Sequence, residues 1–126
     1  NSIMKFNTIM PKELVSFYQN ELQLAAENLR LNDLQIAWHH LERAHILGQS
    51  RTFDHTRIHW RMLKLGLKMR STGEIWGQFI RMIGAATKTP FGIYPKGNTG
   101  GANVWFFKPM PVPHDLQEIL NQAKIK

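Results

Sequence analysis

A chain of 126 residues, 43% hydrophobic and 20% charged, is long enough to bury one core without covalent staples. It contains no cysteine, which excludes disulfides, thiolate metal sites and cysteine nucleophiles. Sixteen Lys and Arg against nine Asp and Glu leave a formal charge of +7, which admits anionic partners without singling one out.

Met4-Lys5-Phe6-Asn7-Thr8 is followed by no apolar stretch of the kind a secretory leader carries. No uncharged apolar run nears the ~20 residues of a membrane span, so the expected location is the cytoplasm. Pro11 suits a helix start, and Leu14, Phe17, Tyr18, Leu22, Ala25 and Leu29 recur at helical spacing over Lys12 to about Leu31. Asp33 is the expected N-cap of a second helix reaching Leu47, with Gly48 in the left-handed position that ends many helices.

A third helix is predicted from Thr52 to Arg70, with Ile58, Met62, Leu65, Gly66 and Met69 on its inner face. A fourth runs from Glu74 to about Thr87, with Ile75, Phe79, Met82 and Ile83 as its stripe. The stretch from Leu22 to Gly48 has the spacing of a tetratricopeptide-type helix pair, but one copy does not make an array, which needs about three.

Residues 89–113 hold five of the six prolines and four of the nine glycines, interleaved with aromatics. Prolines and glycines forbid a long helix and the aromatics argue for order, so an extended segment wrapping the bundle is expected, with a β-like piece at Asn103 to Phe107. Asp115 then caps a short last helix. The predicted fold is all-α: a single domain over 1–126 comprising an antiparallel bundle of four main helices (11–88), the wrapping segment and a terminal helix (114–124).

Polar residues on the apolar helix faces carry the chemistry. Glu21 lies at the centre of the first stripe, and His45 lies above Leu41 in line with Leu34 and Trp38. Glu42 sits at the edge of that face, three residues before His45; His55 and His59 are one turn apart on the third helix. Three imidazoles and one or two carboxylates form a suitable ligand set for zinc, iron, manganese, nickel or copper. Glu21, His45, His55 and His59 are the candidate ligands, with Glu42 as a fifth ligand or an outer support. Only one Glu-x-x-His motif occurs, which does not support a di-iron site.

Two other functions stay open. A metal-free polar network could fix helix register in a structural or protein-interaction module. The outer face of the third helix carries Arg57, Arg61, Lys64 and Lys68, a stripe suited to an anionic partner or simply to water. No nucleic-acid signature is present. The loop from Pro95 to Val104 lacks the Gly-Lys-Ser/Thr ending of a phosphate cradle and reads as turns, or as a clamp over the bundle. No activated nucleophile can be assigned, so the chain leans away from enzymes. His39, His40 and His114 read as surface or local residues.

Four blocks in order, His40-Leu41-Glu42-Arg43-Ala44-His45-Ile46-Leu47-Gly48-Gln49, His55-Thr56-Arg57-Ile58-His59-Trp60-Arg61-Met62-Leu63, Gly97-Asn98-Thr99-Gly100 with Ala102-Asn103-Val104, and Lys108-Pro109-Met110-Pro111-Val112-Pro113, resemble the bacterial family called domain of unknown function 3703. The resemblance spans nearly the whole chain. It brings no activity, substrate or cofactor with it, so a metal-binding role as sensor, buffer or accessory protein rests on the helix faces.

Overall fold

The computed structural model describes residues 9–106 and 108–125. The leader reading at residues 4–8 and the Phe107 end of the β-like piece lie outside them. Helix α1 spans Lys12–Arg30, α2 Leu34–Gly48, α3 Thr52–Lys68, α4 Thr72–Lys88 and α5 His114–Gln122, with a 3-10 turn at Thr89–Phe91. Among the described residues there is no strand, so residues 103–106 are turn and bend rather than β. No described helix is long and apolar enough to cross a membrane.

Local signals set the helix ends. Asn32 turns left-handed at φ 60°, and the Asp33 carboxylate accepts from the Ile36 amide, as an N-cap should. At the α3–α4 junction Arg70 takes the left-handed turn, and the Ser71 hydroxyl accepts from the Glu74 amide. This cap starts α4 two residues earlier than predicted, because Ser71 and Glu74 form a Ser-x-x-Glu pattern. Gly48 is not a left-handed terminator. It is the last residue of α2, and a Cβ there would stand 2.7 Å from Tyr18 Cε1. Its lack of a side chain lets the Tyr18 ring cross, and the Tyr18 hydroxyl reaches on to donate to the Asp54 carbonyl of α3 at 3.0 Å.

Short links pack each main helix against its predecessor, and α5 docks on α1 and α2. The core joins Leu14, Tyr18 and Leu22 of α1, Leu41, Ala44 and Leu47 of α2, Ile58, Met62 and Leu65 of α3, and Leu116 and Leu120 of α5. Phe17, expected in the first stripe, is 41% exposed.

Helix α4 departs most from expectation. Its buried residues are Gln78 and Ala85, while Phe79 and Ile83 of the expected stripe are about half exposed and Ile75 and Met82 are half-buried. The apolar stripe therefore faces largely outward, and a polar line through Glu74, Gln78 and Arg81 faces the loop that follows. Asp115 is likewise not a cap: Pro113 precedes α5, and the Asp115 carboxylate pairs with the Arg43 guanidinium at 2.5 Å.

Candidate metal centre

His45 enters from the last turn of α2, and His55 and His59 from consecutive turns of α3. They are 1%, 5% and 3% exposed, all three within the buried interior. Their Nε2 atoms converge: His45 to His55 is 3.1 Å, His45 to His59 3.2 Å and His55 to His59 3.1 Å.

Each Nδ1 atom turns away from this triangle toward a partner of its own. His45 Nδ1 donates to the Asn98 main-chain carbonyl at 2.7 Å. His59 Nδ1 meets Gln78 Oε1 at 2.6 Å, and His55 Nδ1 meets the Thr89 hydroxyl at 2.8 Å. The Gln78 amide is oriented from behind, because its Nε2 donates to Glu74 Oε1 and to the Gly100 carbonyl, both at 2.7 Å. Both those partners are acceptors, so Oε1 faces His59 and the imidazole Nδ1 must donate.

These partners fix the tautomers of two rings. A carbonyl only accepts, so neutral His45 and His59 carry their proton on Nδ1 and point bare Nε2 lone pairs at each other across 3.2 Å. Burial is the first cause that holds all three rings neutral: His45 and His55 lie well below the usual histidine pKa, and His59 falls to about 4. Mutual repulsion adds to the effect at His45 and His55, and the nearby Arg81 charge adds to it at His45 and His59. The facing His45 and His59 lone pairs hold no proton between them, an arrangement that a cation, or an Nε2–H of His55, relieves.

The loop after α4 closes over the cluster. Asn98 is 2% exposed; its side-chain amide donates to the Trp105 and Lys108 carbonyls and its oxygen accepts from the Gly100 amide. Gly100, at φ 90°, passes so close to His45 that a Cβ would stand 2.6 Å from its ring. The loop is therefore a set of turns held by asparagine, as expected, and it also supplies the carbonyl that orients a histidine.

The two predicted carboxylates are not in the group of converging ligand atoms, which consists of His45, His55 and His59. Glu21 is corrected from ligand to ion-pair centre: Arg43 Nε donates to both its oxygens at 3.1 Å, and His40 Nδ1 meets Oε1 at 2.8 Å. With a guanidinium on the same core edge, the buried carboxylate takes the charge partner rather than a shared metal. His40 is thereby half-buried and paired, not a free surface residue. Glu42 is half-buried, its carboxyl raised by burial, with a Trp38 hydrogen bond opposing. His114 is exposed and lies 3.7 Å from Glu118, as local as expected.

Sequence inspection missed Gln78, Thr89 and Asn98. Gln78 had a signal, a polar residue in register with Glu74, Arg81 and Ala85, but the apolar stripe of α4 masked it. Thr89 and Asn98 sit in irregular chain, where no periodicity marks an inward side chain.

Fold and centre together define a class: an all-α bundle in which three buried histidines on two helices are oriented from an adjoining helix and loop. A family model described as "Protein of unknown function (DUF3703)" matches residues 12–120, and the chain belongs to that family. Comparison with curated proteins and with solved structures finds no match.

Proposed function

We propose that His45, His55 and His59 bind one divalent transition-metal ion through Nε2, leaving a further coordination position open, and that the protein serves as a metal-dependent accessory or sensory domain. The carrying observation is the convergence of three Nε2 atoms within 3.1–3.2 Å while every Nδ1 is engaged on the far side. Tetrahedral zinc with Zn–N bonds of about 2.0–2.1 Å separates its nitrogen ligands by about 3.3 Å, so small ring movements admit the ion. Outer partners on the second ring nitrogen are the usual companions of metal-binding histidines. The all-imidazole donor set favours zinc, copper, nickel or iron over manganese.

Metal titration of chelator-treated protein tests this. One equivalent of zinc should bind, raise the melting temperature and fail to bind after His45→Ala with His59→Ala. Absence of stoichiometric zinc, cobalt or nickel in the wild type defeats the proposal. One observation supports a second reading: the Thr89 hydroxyl can donate to His55 Nδ1, freeing a His55 Nε2–H to bridge the other two rings. A purely structural network of that kind gives a melting temperature indifferent to metal and chelator.

A further inference from the structure

The three imidazoles line one side of a cavity of about 260 Å³. The rest of its wall is largely apolar, with Ile80, Ile93 and Phe106 prominent, and its charged groups are Arg81 and Lys88. Among the described residues no carboxylate belongs to the lining. A divalent ion on three neutral imidazoles keeps its full charge and Arg81 and Lys88 add to it, with Glu74 opposing from behind Arg81, so the open position favours an anionic ligand, hydroxide or one entering the cavity.

Arg81 is built to receive such an anion. Its guanidinium is anchored by donation to the Gly77 carbonyl at 3.1 Å and the Val104 carbonyl at 2.7 Å, and it stacks 4.4 Å from the Phe106 ring centre. Its field reaches His45 and His59. A guanidinium keeps further N–H groups when two are used, in a planar fork that suits a carboxylate.

Gly84 is the second observation. It is an interior residue of α4 on the cavity wall, one turn from both Ile80 and Lys88, which also line it. A Cβ on Gly84 would meet nothing within 4 Å, so no packing contact explains a residue that weakens a helix. What its bareness preserves is open space at the cavity.

We infer that this cavity takes a small organic carboxylate with an apolar body, one carboxylate oxygen on the open metal position, the other facing Arg81, and the body against Ile80, Ile93 and Phe106. This rests on the metal reading above. A cavity of about 260 Å³ has room for a body the size of benzoate or hexanoate.

Cobalt(II)-loaded protein, titrated with benzoate, hexanoate, acetate and neutral benzamide and followed by the visible cobalt bands, tests the inference. Benzoate and hexanoate are expected to shift the bands and to bind at least tenfold tighter than acetate, with benzamide leaving the bands unchanged. Gly84→Leu should bind one equivalent of cobalt as before and lose benzoate affinity at least tenfold. Arg81→Gln should also weaken benzoate, and Arg81→Lys, which loses the planar fork, serves in its place if that variant does not fold. If cobalt binds at one equivalent but benzoate is silent, matches acetate, or binds Gly84→Leu as well as wild type, the inference is overturned and the metal reading stands. If cobalt does not bind, the metal reading fails and this inference fails with it.

Discussion

The main-chain carbonyl of Asn98 accepts from His45 Nδ1 at 2.7 Å, tying a loop to a histidine 53 positions earlier in the chain. That carbonyl points inward because the Asn98 side chain holds the loop in shape through bonds to the Gly100 amide and the Trp105 and Lys108 carbonyls. Asn98→Ala removes all three bonds in a buried setting. It is expected to cost about 2–3 kcal/mol in urea unfolding of the metal-free protein and to lower zinc affinity by roughly 10–100-fold through a looser His45. A variant with wild-type zinc affinity would show that the loop does not orient the ring.

Gln78→Leu keeps the volume of a fully buried residue while removing the acceptor for His59 Nδ1 and the donor to Glu74 and Gly100. The His59 ring is then free to carry its proton on Nε2, the wrong tautomer for a ligand. Zinc affinity should fall by roughly 10–100-fold, with His55 and His45 retaining weaker binding. Histidine nitrogen chemical shifts in metal-free protein report the tautomer directly, and an unchanged His59 pattern would contradict the relay.

Helical spacing made much of this legible. His45, His55 and His59 stood out as polar positions on otherwise apolar faces, and short links between helices implied that those faces meet. The carboxylates misled because the wheel gives direction without range: Glu21 points inward, but Arg43 on α2 lies within reach and captures it. For α4 the strongest periodic signal was wrong, since its apolar residues line or flank a cavity and solvent while its polar line supports the site. Residues such as Asn98 and Thr89 act through loop closure, which leaves no periodic trace.

Glu21 and the histidine triangle should behave independently. Glu21→Ala leaves His40 without its carboxylate and Arg43 with the Asp115 pair alone beside the α1–α2 core, at an expected cost of about 1–3 kcal/mol. Glu21→Gln, which keeps the shape and some hydrogen bonding, should cost less. Both should bind zinc with wild-type affinity, because Glu21 is not among the converging ligand atoms. Loss of zinc binding in a folded Glu21→Gln would return the carboxylate to the metal site.

Acid sensitivity follows from the buried imidazoles. In the unfolded chain a histidine titrates near 6.5, whereas burial holds His59 at about 4 and His45 and His55 well below their usual value. Well above pH 6.5 neither state is protonated, and stability is level. As the pH falls from 6.5 toward 4 the unfolded chain takes up protons that the folded protein refuses, so stability declines by up to about 1.4 kcal/mol per pH unit for each such ring. Glu42 and Asp54, raised by burial, act with the opposite sign closer to the carboxylate range, so the histidine effect is cleanest between pH 6.5 and 5.5. Urea midpoints of metal-free protein should drop steadily across that interval, and His45→Gln with His59→Gln should flatten the decline. With zinc present the drop should be steeper, because protons then also compete for the ligand atoms. A midpoint that holds level from pH 6.5 to 5.5 in the metal-free wild type would mean that the three rings are already charged or already wet, and would remove the electrostatic basis of the site.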